Sequence, residues 1–203
     1  MRALPNILTG GRLVLTLAVL LCLAAAGRGW PFQGVSDAAR LQLQSWAFLG
    51  FVVAAVTDFF DGWLARRLEA TSLLGAILDP IADKVLVAAA IVGLVATGQG
   101  GVALPGGLIL FREFGVSALR ETLAPKGLRL PVTLLAKWKT TLQLVALGLL
   151  LFLPAWSDWG LPCDPDLQAK AAAGALGLLW LAAVITVWTG IEYALAARKA
   201  LRG

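Results

Sequence analysis

The sequence predicts an all-α fold, a polytopic membrane bundle of six transmembrane helices. Of its 203 residues, 59% are hydrophobic and only 14% are charged, whereas a soluble domain has about half apolar and about a quarter charged residues. The apolar residues also fall into runs of the length that an α-helix needs to cross lipid, about 20 residues. Lys and Arg concentrate in the connections on one side of these runs. The surplus of apolar side chains is therefore expected to face lipid.

Six apolar runs define the predicted spans, and Gly, Pro and Trp residues separate them. No repeat or linker divides the chain, so a single membrane domain is expected over 1–203. The first run ends at three alanines and also has the form of a cleaved signal peptide, but the runs that follow it favour a retained first span. The six runs are 8–26, 44–65, 72–97, 102–122, 132–153 and 170–196.

The distribution of basic residues predicts the orientation of the bundle, because connections rich in Lys and Arg stay in the cytoplasm. The connections on the other side hold only Arg28, Arg40 and Lys170, beside several aspartates. Both termini are therefore expected in the cytoplasm, in a multi-pass protein of the cell's inner membrane. The net charge of +5 reflects this topology and a face for anionic ligands, and it does not indicate nucleic acid. The basic residues expected on the cytoplasmic side are Arg2, Arg12, Arg66, Arg67, Arg120, Lys126, Arg129, Lys137, Lys139, Arg198, Lys199 and Arg202.

No histidine occurs in the chain, which excludes His-based zinc sites and a Ser-His-Asp triad. Proton transfer would have to use a carboxylate, Lys, Tyr or Cys. The two cysteines do not make a disulfide framework. Cys22 lies in an apolar run, as a small buried hydrophobic residue would, and it would pair with Cys163 only if both faced the outside.

Four aspartates stand in the predicted second and third spans, where an ionised carboxylate is costly and needs a polar cavity and a partner. Asp58 and Asp61 are three residues apart, and Asp79 and Asp83 are four apart. Each pair therefore shares one face of its helix. The two helices are expected to run antiparallel across a short connection, which places both pairs at a similar depth. The sequence thus predicts four converging carboxylates.

Such a cluster requires compensating positive charge. Lys84 and Arg66 are too few to neutralise four carboxylates, whereas divalent cations can. Ligands that are all oxygen suit Mg²⁺ or Mn²⁺, and two such ions would suit displacement at phosphorus. The alternative is a transporter or channel with a carboxylate-lined path for cations.

The residues beside the aspartates favour a ligand site over a transport path. Gly62, Ala65 and Gly75 are small and let a ligand or the partner helix approach closely. Pro80 would kink the third helix beside Asp79 and open the site. A transporter needs none of these spacings.

The spacing of these residues is that of a known signature. Residues 58–83 contain the pattern D-x2-D-G-x2-A-R-x8-G-x3-D-x3-D, with all eight fixed positions present. In this pattern the chain resembles the CDP-alcohol phosphatidyltransferase family, whose members move a phosphatidyl group from CDP-diacylglycerol to an alcohol. The resemblance implies a six-helix membrane bundle, a homodimer, and a cavity that opens to the cytoplasm.

The resemblance also implies roles for individual residues. Asp58, Asp61 and Asp79 would bind the metal ions and hold the pyrophosphate of CDP-diacylglycerol. Asp83 would bind metal as well and act as the general base. The remaining residues implied at the CDP-diacylglycerol site are Asn6, Thr9, Arg12, Gly62, Ala65, Arg66, Ser72 and Gly75.

Segments outside the signature indicate the acceptor alcohol. Over essentially the whole chain they resemble the members of the family that use glycerol 3-phosphate as the acceptor. Two departures are Ala136, where those members more often have Gly, and Glu192, where they more often have Asp. Phosphatidylglycerol and inositol phosphate are the alternative acceptors. The segments are 4–9, 111–113, 117–121, 137–143 and 187–193.

Basic residues of the later spans agree with an acceptor that carries its own phosphate. Arg112 lies near the middle of a span, where only a polar cavity tolerates it. Arg120 is two turns further on a similar face, and Lys137 and Lys139 begin the fifth span at that level. Guanidinium groups bind phosphate oxygens bidentately. There are two alternatives. The lysines would reflect only the positive-inside rule, or Arg112 and Arg120 would pair with Glu113 and Glu121, the glutamates that follow them.

Overall fold

The computed structural model of the chain describes residues 4–68, 73–124 and 134–202, with side chains over 9–58, 78–124 and 138–199. Within these ranges the chain is almost entirely helical and contains no strand. Short 3-10 helices cover Gly100–Val102 and Leu153–Trp159. The α-helices are α1 (Leu4–Ala26), α2 (Asp37–Leu68), α3 (Leu73–Ala96), α4 (Ala103–Leu123), α5 (Leu134–Phe152) and α6 (Pro165–Arg202).

Five of these helices are long and apolar enough to cross a membrane, and α3 has the length to do so but carries Asp79, Asp83 and Lys84. The prediction of an all-α, six-helix membrane bundle is confirmed, and the chain is a multi-pass membrane protein. Helices α2 and α6 extend past the predicted spans at both ends. The reason is that an apolar run marks only the part of a helix within lipid, whereas the helical hydrogen bonds continue beyond it.

The contacts at the two ends of the bundle define how the helices run. At one end, Arg12 of α1 lies against Asp58 of α2 and Asp83 of α3. At the other end, the hydroxyl of Ser45, early in α2, donates to Asp158 at 2.9 Å. The acidic side chains of α2 and α3 therefore lie at the end where α1 begins and α2 finishes.

The core is built from two groups of helices. Helix α1 packs on α2 and α3, α6 packs on α4 and α5, and contacts of α2 with α5 and of α3 with α4 and α5 join the groups. Each helix contributes a side chain that is almost completely buried: Leu23, Phe51, Leu94, Ile109, Leu147 and Leu179.

Glycines let α1 approach its neighbours closely. A Cβ added at Gly50 of α2 would lie 2.8 Å from Cγ2 of Val19, and one added at Gly27 would lie 2.8 Å from the carbonyl oxygen of Ala96. Because lipid tails are as apolar as the helices, close van der Waals contact of this kind drives helix association in a membrane. It holds α1 where Arg12 reaches both α2 and α3.

The connection between α1 and α2 folds around Arg40, which is 8% exposed. Its Nε donates to the carbonyl of Val35 at 3.0 Å, and Nη1 donates to the carbonyls of Ala26, at 2.9 Å, and Gly27. The bonds to Ala26 and Gly27 satisfy carbonyls at the end of α1 that have no helical partner. Arg40, in the first turn of α2, thereby links the connection to the end of α1.

Candidate active site

Three helices bring three of the four predicted aspartates together around one arginine. Arg12 of α1 is 3% exposed, and its Nη1 contacts Asp58 of α2 and lies 3.1 Å from an oxygen of Asp83 on α3. Its Nη2 lies 3.8 Å from Asp79. The hydroxyl of Thr9, one turn earlier on α1, donates to Asp79 at 2.7 Å. We call Arg12 and the three aspartates the acidic cluster.

The acidic cluster has more negative than positive charge and is open on one side. The Arg12 side chain is 1% exposed, whereas those of Asp58, Asp79 and Asp83 are 41%, 53% and 50% exposed. Among the described side chains, Arg12 is the only cation that forms an ion pair with these aspartates. One buried guanidinium thus holds three carboxylates whose side chains are about half exposed.

The donor set of the acidic cluster fits a hard divalent cation. It consists of carboxylate oxygens, which suit Mg²⁺ or Mn²⁺ better than softer metals. In the ranges with described side chains, no three acidic or Cys side chains meet closely enough to ligate one ion, because Asp58, Asp79 and Asp83 are arranged around Arg12. Asp61, the fourth predicted ligand, has its side chain outside those ranges. The metal site stays a prediction.

Several other predicted residues lie at this end of the bundle, in parts of the helices whose side chains are not described. They belong to α1, α2, α3 and α5, and the backbone of each is helical. Ser72 lies outside the described residues altogether. The roles implied for these residues stay predictions. They are Asn6, Gly62, Ala65, Arg66, Gly75 and Lys137.

A second charged cluster lies between α4, α5 and α6. Arg112 is 8% exposed and Lys139 is 4% exposed, and both contact the same oxygen of Glu113. The distance from Arg112 Nη1 to Glu113 Oε1 is 3.1 Å. Arg112 also donates through Nη2 to the Thr189 hydroxyl at 3.1 Å. The predicted alternative that Glu113 pairs with these cations is therefore observed.

Arg120 completes this group on the same helix as Arg112. Its Nη2 donates to the Tyr193 hydroxyl at 3.1 Å, and no ion pair with Glu121 or another acid is present among the described side chains. We call Arg112, Arg120 and Lys139 the basic cluster. Among the described side chains only Glu113 forms ion pairs with these cations, so the described part of the basic cluster keeps an excess of positive charge. Positive-inside topology does not explain a lysine as deeply buried as Lys139.

The two clusters lie on helices that pack against one another. Helix α3, which carries Asp79 and Asp83, packs on both α4 and α5, which carry the basic cluster. A set of carboxylates and a set of cations are therefore held on adjoining helices. This pairing of charges suits a phosphorylated substrate that reacts at a metal-bound phosphate.

Sequence reasoning did not identify Thr189 and Tyr193 as members of the site. Both lie on α6, in a long apolar helix, and are 0% and 5% exposed. Tyr193 is the chain's single tyrosine. A signal was present, because a threonine and a tyrosine four residues apart share a helix face, but only the structure shows that this face meets α4.

A multi-pass helical bundle that carries an acidic cluster and a basic cluster on adjoining helices has the charges that a membrane enzyme of phosphoryl chemistry needs. The chain belongs to the CDP-alcohol phosphatidyltransferase family, whose sequence model matches residues 2–191. The resemblance seen in the signature is thereby confirmed, and the chain is a transferase.

Named relatives agree with this membership. A Cereibacter sphaeroides protein is 39% identical, over 98% of this chain and 96% of the relative. An Escherichia coli K12 protein is 43% identical, over 76% of this chain and 80% of the relative. A Shigella flexneri protein is 42% identical over the same shares, 76% and 80%. All three are named CDP-diacylglycerol–glycerol-3-phosphate 3-phosphatidyltransferase.

Proposed function

We propose that this chain transfers the phosphatidyl group of CDP-diacylglycerol to glycerol 3-phosphate, giving phosphatidylglycerophosphate and CMP. The observation that carries the proposal is the basic cluster, in which Arg112 and Lys139 are buried, on helices that pack against α3 of the acidic cluster. With an acceptor that has no phosphate, Glu113 would be the only acid among the described side chains to pair with its three cations, and unbalanced charge in a membrane is costly. The names of the relatives point to the same acceptor.

The donor binds at the acidic cluster in this proposal. The four aspartates of the signature hold Mg²⁺ or Mn²⁺, most simply as two ions, against the pyrophosphate of CDP-diacylglycerol. When bound, the ions supply positive charge that stabilises the entering and leaving oxygens. Arg12 and Thr9 fix the carboxylates in place from α1. The nucleotide contacts implied by the signature are Asn6, Gly62, Ala65, Arg66, Ser72 and Gly75.

The acceptor binds at the basic cluster. Arg112 and Arg120 offer guanidinium groups, which suit bidentate contacts with phosphate oxygens. Lys139, together with Lys137 at the start of α5, adds point charge. Glu113 holds Arg112 and Lys139 together while the acceptor is absent, and it leaves enough positive charge to attract a phosphate.

The chemistry is a direct displacement. Asp83 accepts the proton of the primary hydroxyl of glycerol 3-phosphate, and the oxygen attacks the phosphorus that carries the diacylglycerol. The new P–O bond forms as the bond to the CMP phosphate oxygen breaks, and CMP leaves with that electron pair. The half-exposed Asp83 carboxylate is accessible to a substrate hydroxyl. No histidine is present to activate a serine nucleophile, so the residues favour one step over a covalent intermediate.

The proposed orientation and assembly rest on the sequence. The Lys and Arg distribution favours an active site that faces the cytoplasm, with both termini on that side, in the inner membrane. The family resemblance favours a homodimer.

An acceptor panel with purified protein tests the function. Radiolabelled CDP-diacylglycerol in mixed micelles with Mg²⁺ is offered glycerol 3-phosphate, phosphatidylglycerol or inositol phosphate, and CMP release is measured. We expect rapid release only with glycerol 3-phosphate. If another acceptor were preferred, the proposed acceptor would be wrong and the reaction class would stand. Cation flux in proteoliposomes without any CMP release would support the transporter alternative.

A further inference from the structure

The side chain of Tyr193 lies between the two arginines of the basic cluster. Its ring centre is 5.5 Å from the guanidinium carbon of Arg112 and 5.2 Å from that of Arg120. Both distances are within the range, about 6 Å, in which a cation is attracted to an aromatic ring. The hydroxyl of the same residue accepts a hydrogen bond from Arg120 at 3.1 Å. One buried side chain thus contacts both guanidinium groups.

This arrangement opposes the repulsion between the two guanidinium charges. Arg112 and Arg120 are eight residues apart on α4, about 12 Å along the helix axis at 1.5 Å per residue. Long side chains on one face would separate to reduce the repulsion between their like charges. The Tyr193 ring on α6, which lies within attractive distance of both guanidinium groups, opposes that separation.

Two neighbours of Tyr193 on α6, Thr189 and Gly190, also lie against the Arg112 side chain. The Thr189 hydroxyl accepts a hydrogen bond from Arg112 Nη2 at 3.1 Å. At position 190, a Cβ would lie 2.7 Å from Cγ of Arg112, so only glycine leaves room for this arginine. Helix α6 therefore has three residues, within five positions, that fit the arginines of α4.

We propose that Tyr193 is a positioning residue that holds Arg112 and Arg120 as a pair of guanidinium groups for the phosphate of the acceptor. The proposal rests on the proposed function, in which that phosphate belongs to glycerol 3-phosphate. Tyr193 does not touch the reacting atoms. It reduces the reorganisation that the arginines undergo when the phosphate binds. Binding of an acceptor with a phosphate is thereby strengthened relative to an alcohol without one.

Two substitutions separate the contributions of the ring and the hydroxyl. Tyr193→Phe keeps the ring between the arginines and removes the hydrogen bond to Arg120, whereas Tyr193→Leu removes both. Trp188→Leu is the matched control, because Trp188 is an aromatic residue of the same helix that is 64% exposed. For each purified protein, the KM for glycerol 3-phosphate, the KM for CDP-diacylglycerol, kcat and Tm are measured. Inhibition by inorganic phosphate reports on the phosphate site alone.

We expect the KM for glycerol 3-phosphate and the Ki of inorganic phosphate to rise together, about tenfold in Tyr193→Phe and further in Tyr193→Leu. The KM for CDP-diacylglycerol should stay unchanged, as should every constant of Trp188→Leu. If Tyr193→Phe, which preserves packing, left both phosphate-dependent constants at the wild-type value, the inference would be wrong. A uniform loss of kcat and Tm without a change in these constants would show that Tyr193 only packs α6 on α4. A wild-type protein that releases no CMP with glycerol 3-phosphate would overturn the proposed function itself, which is a different result.

Discussion

The Arg12 guanidinium lies 3.1 Å from an oxygen of Asp83, although the two residues belong to different helices. It also contacts Asp58 and lies within ion-pair distance of Asp79. The first helix therefore supplies the cation that organises the carboxylates of the second and third. Arg12 is almost completely buried and the aspartates are about half exposed, so in the proposed function the arginine is a fixed support and the carboxylates are the groups that meet the substrate.

Arg12→Ala should abolish most of the transferase activity. Removing one partner of a buried ion pair leaves uncompensated charge and costs about 3–5 kcal/mol, and here the neighbouring carboxylates would also repel one another. We expect kcat to fall at least a hundredfold in a CMP-release assay, with partial recovery in Arg12→Lys. Arg28→Ala, at an exposed arginine of the opposite end, is the control. A normal kcat in Arg12→Ala would show that the aspartates need no support from α1.

The sequence predicted the helices and the aspartates, because each depends on local patterns. Apolar runs of sufficient length identify spans, and the spacing of Asp58 and Asp61, or of Asp79 and Asp83, fixes which face they share. The ends of α2 and α6 were not predictable in this way. Residues 37–43 and 197–202 form helix without the apolar run that would mark them as part of a span.

Contacts between distant helices were less predictable. The sequence placed Arg12 near the nucleotide, but it did not indicate that Arg12 pairs with three aspartates, because such pairing depends on how close α1 lies to α2 and α3. Similarly, Tyr193 in an apolar helix resembles any aromatic residue of a membrane span. Only the packing of α6 on α4 distinguishes it from the exposed Trp188 one turn earlier.

Activity should require Mg²⁺ or Mn²⁺. Removing divalent ions with EDTA should abolish CMP release, and adding either ion back should restore it, because the aspartates offer only oxygen ligands. Asp79→Asn should lower kcat by orders of magnitude at saturating Mg²⁺. Asp158→Asn, at the other end of the bundle where Asp158 accepts a hydrogen bond from Ser45, should leave kcat unchanged. Full activity in metal-free buffer would refute the metal requirement.

The natural cysteines can report the orientation of the bundle. Cys163 is exposed, in the connection between α5 and α6, whereas Cys22 is partly buried in α1. A membrane-impermeant maleimide should label Cys163 in right-side-out vesicles and not in sealed inside-out vesicles. The labelled protein is the Cys22→Ser variant, in which Cys163 is the only thiol. Labelling only in inside-out vesicles would reverse the proposed topology.

Arg112→Ala and Lys137→Ala should mainly raise the KM for glycerol 3-phosphate, and Arg120→Ala should do so more weakly. Loss of one charged partner of a bound phosphate typically costs about 2–5 kcal/mol, so we expect an increase of at least thirtyfold for Arg112→Ala. Initial rates over a range of acceptor concentrations measure it. Lys170→Ala, at an exposed lysine paired with Asp166, is the control. A normal acceptor KM combined with a raised KM for CDP-diacylglycerol would assign the basic cluster to the donor instead.

Asp83 is the proposed base, and its geometry agrees with that role. It lies one turn beyond Asp79 on α3, its side chain is half exposed, and α3 packs on α4 and α5, the helices that carry the basic cluster. A carboxylate is a weak base, but it need only accept the proton as the new P–O bond forms.

Asp83→Asn should therefore lower kcat severely while CDP-diacylglycerol binding, measured directly with the radiolabelled donor, stays largely intact. The same variant shows whether Asp83 is the base or only binds the donor. Loss of a residue that binds the donor would weaken CDP-diacylglycerol binding as well as lower kcat. The stereochemistry gives an independent check. A donor with a chiral phosphorothioate at the reacting phosphorus should yield product of inverted configuration, since a single in-line displacement inverts that centre. Retention would require two displacements through a phosphatidyl-enzyme, and Asp83 would then have to activate a protein nucleophile instead of the acceptor hydroxyl.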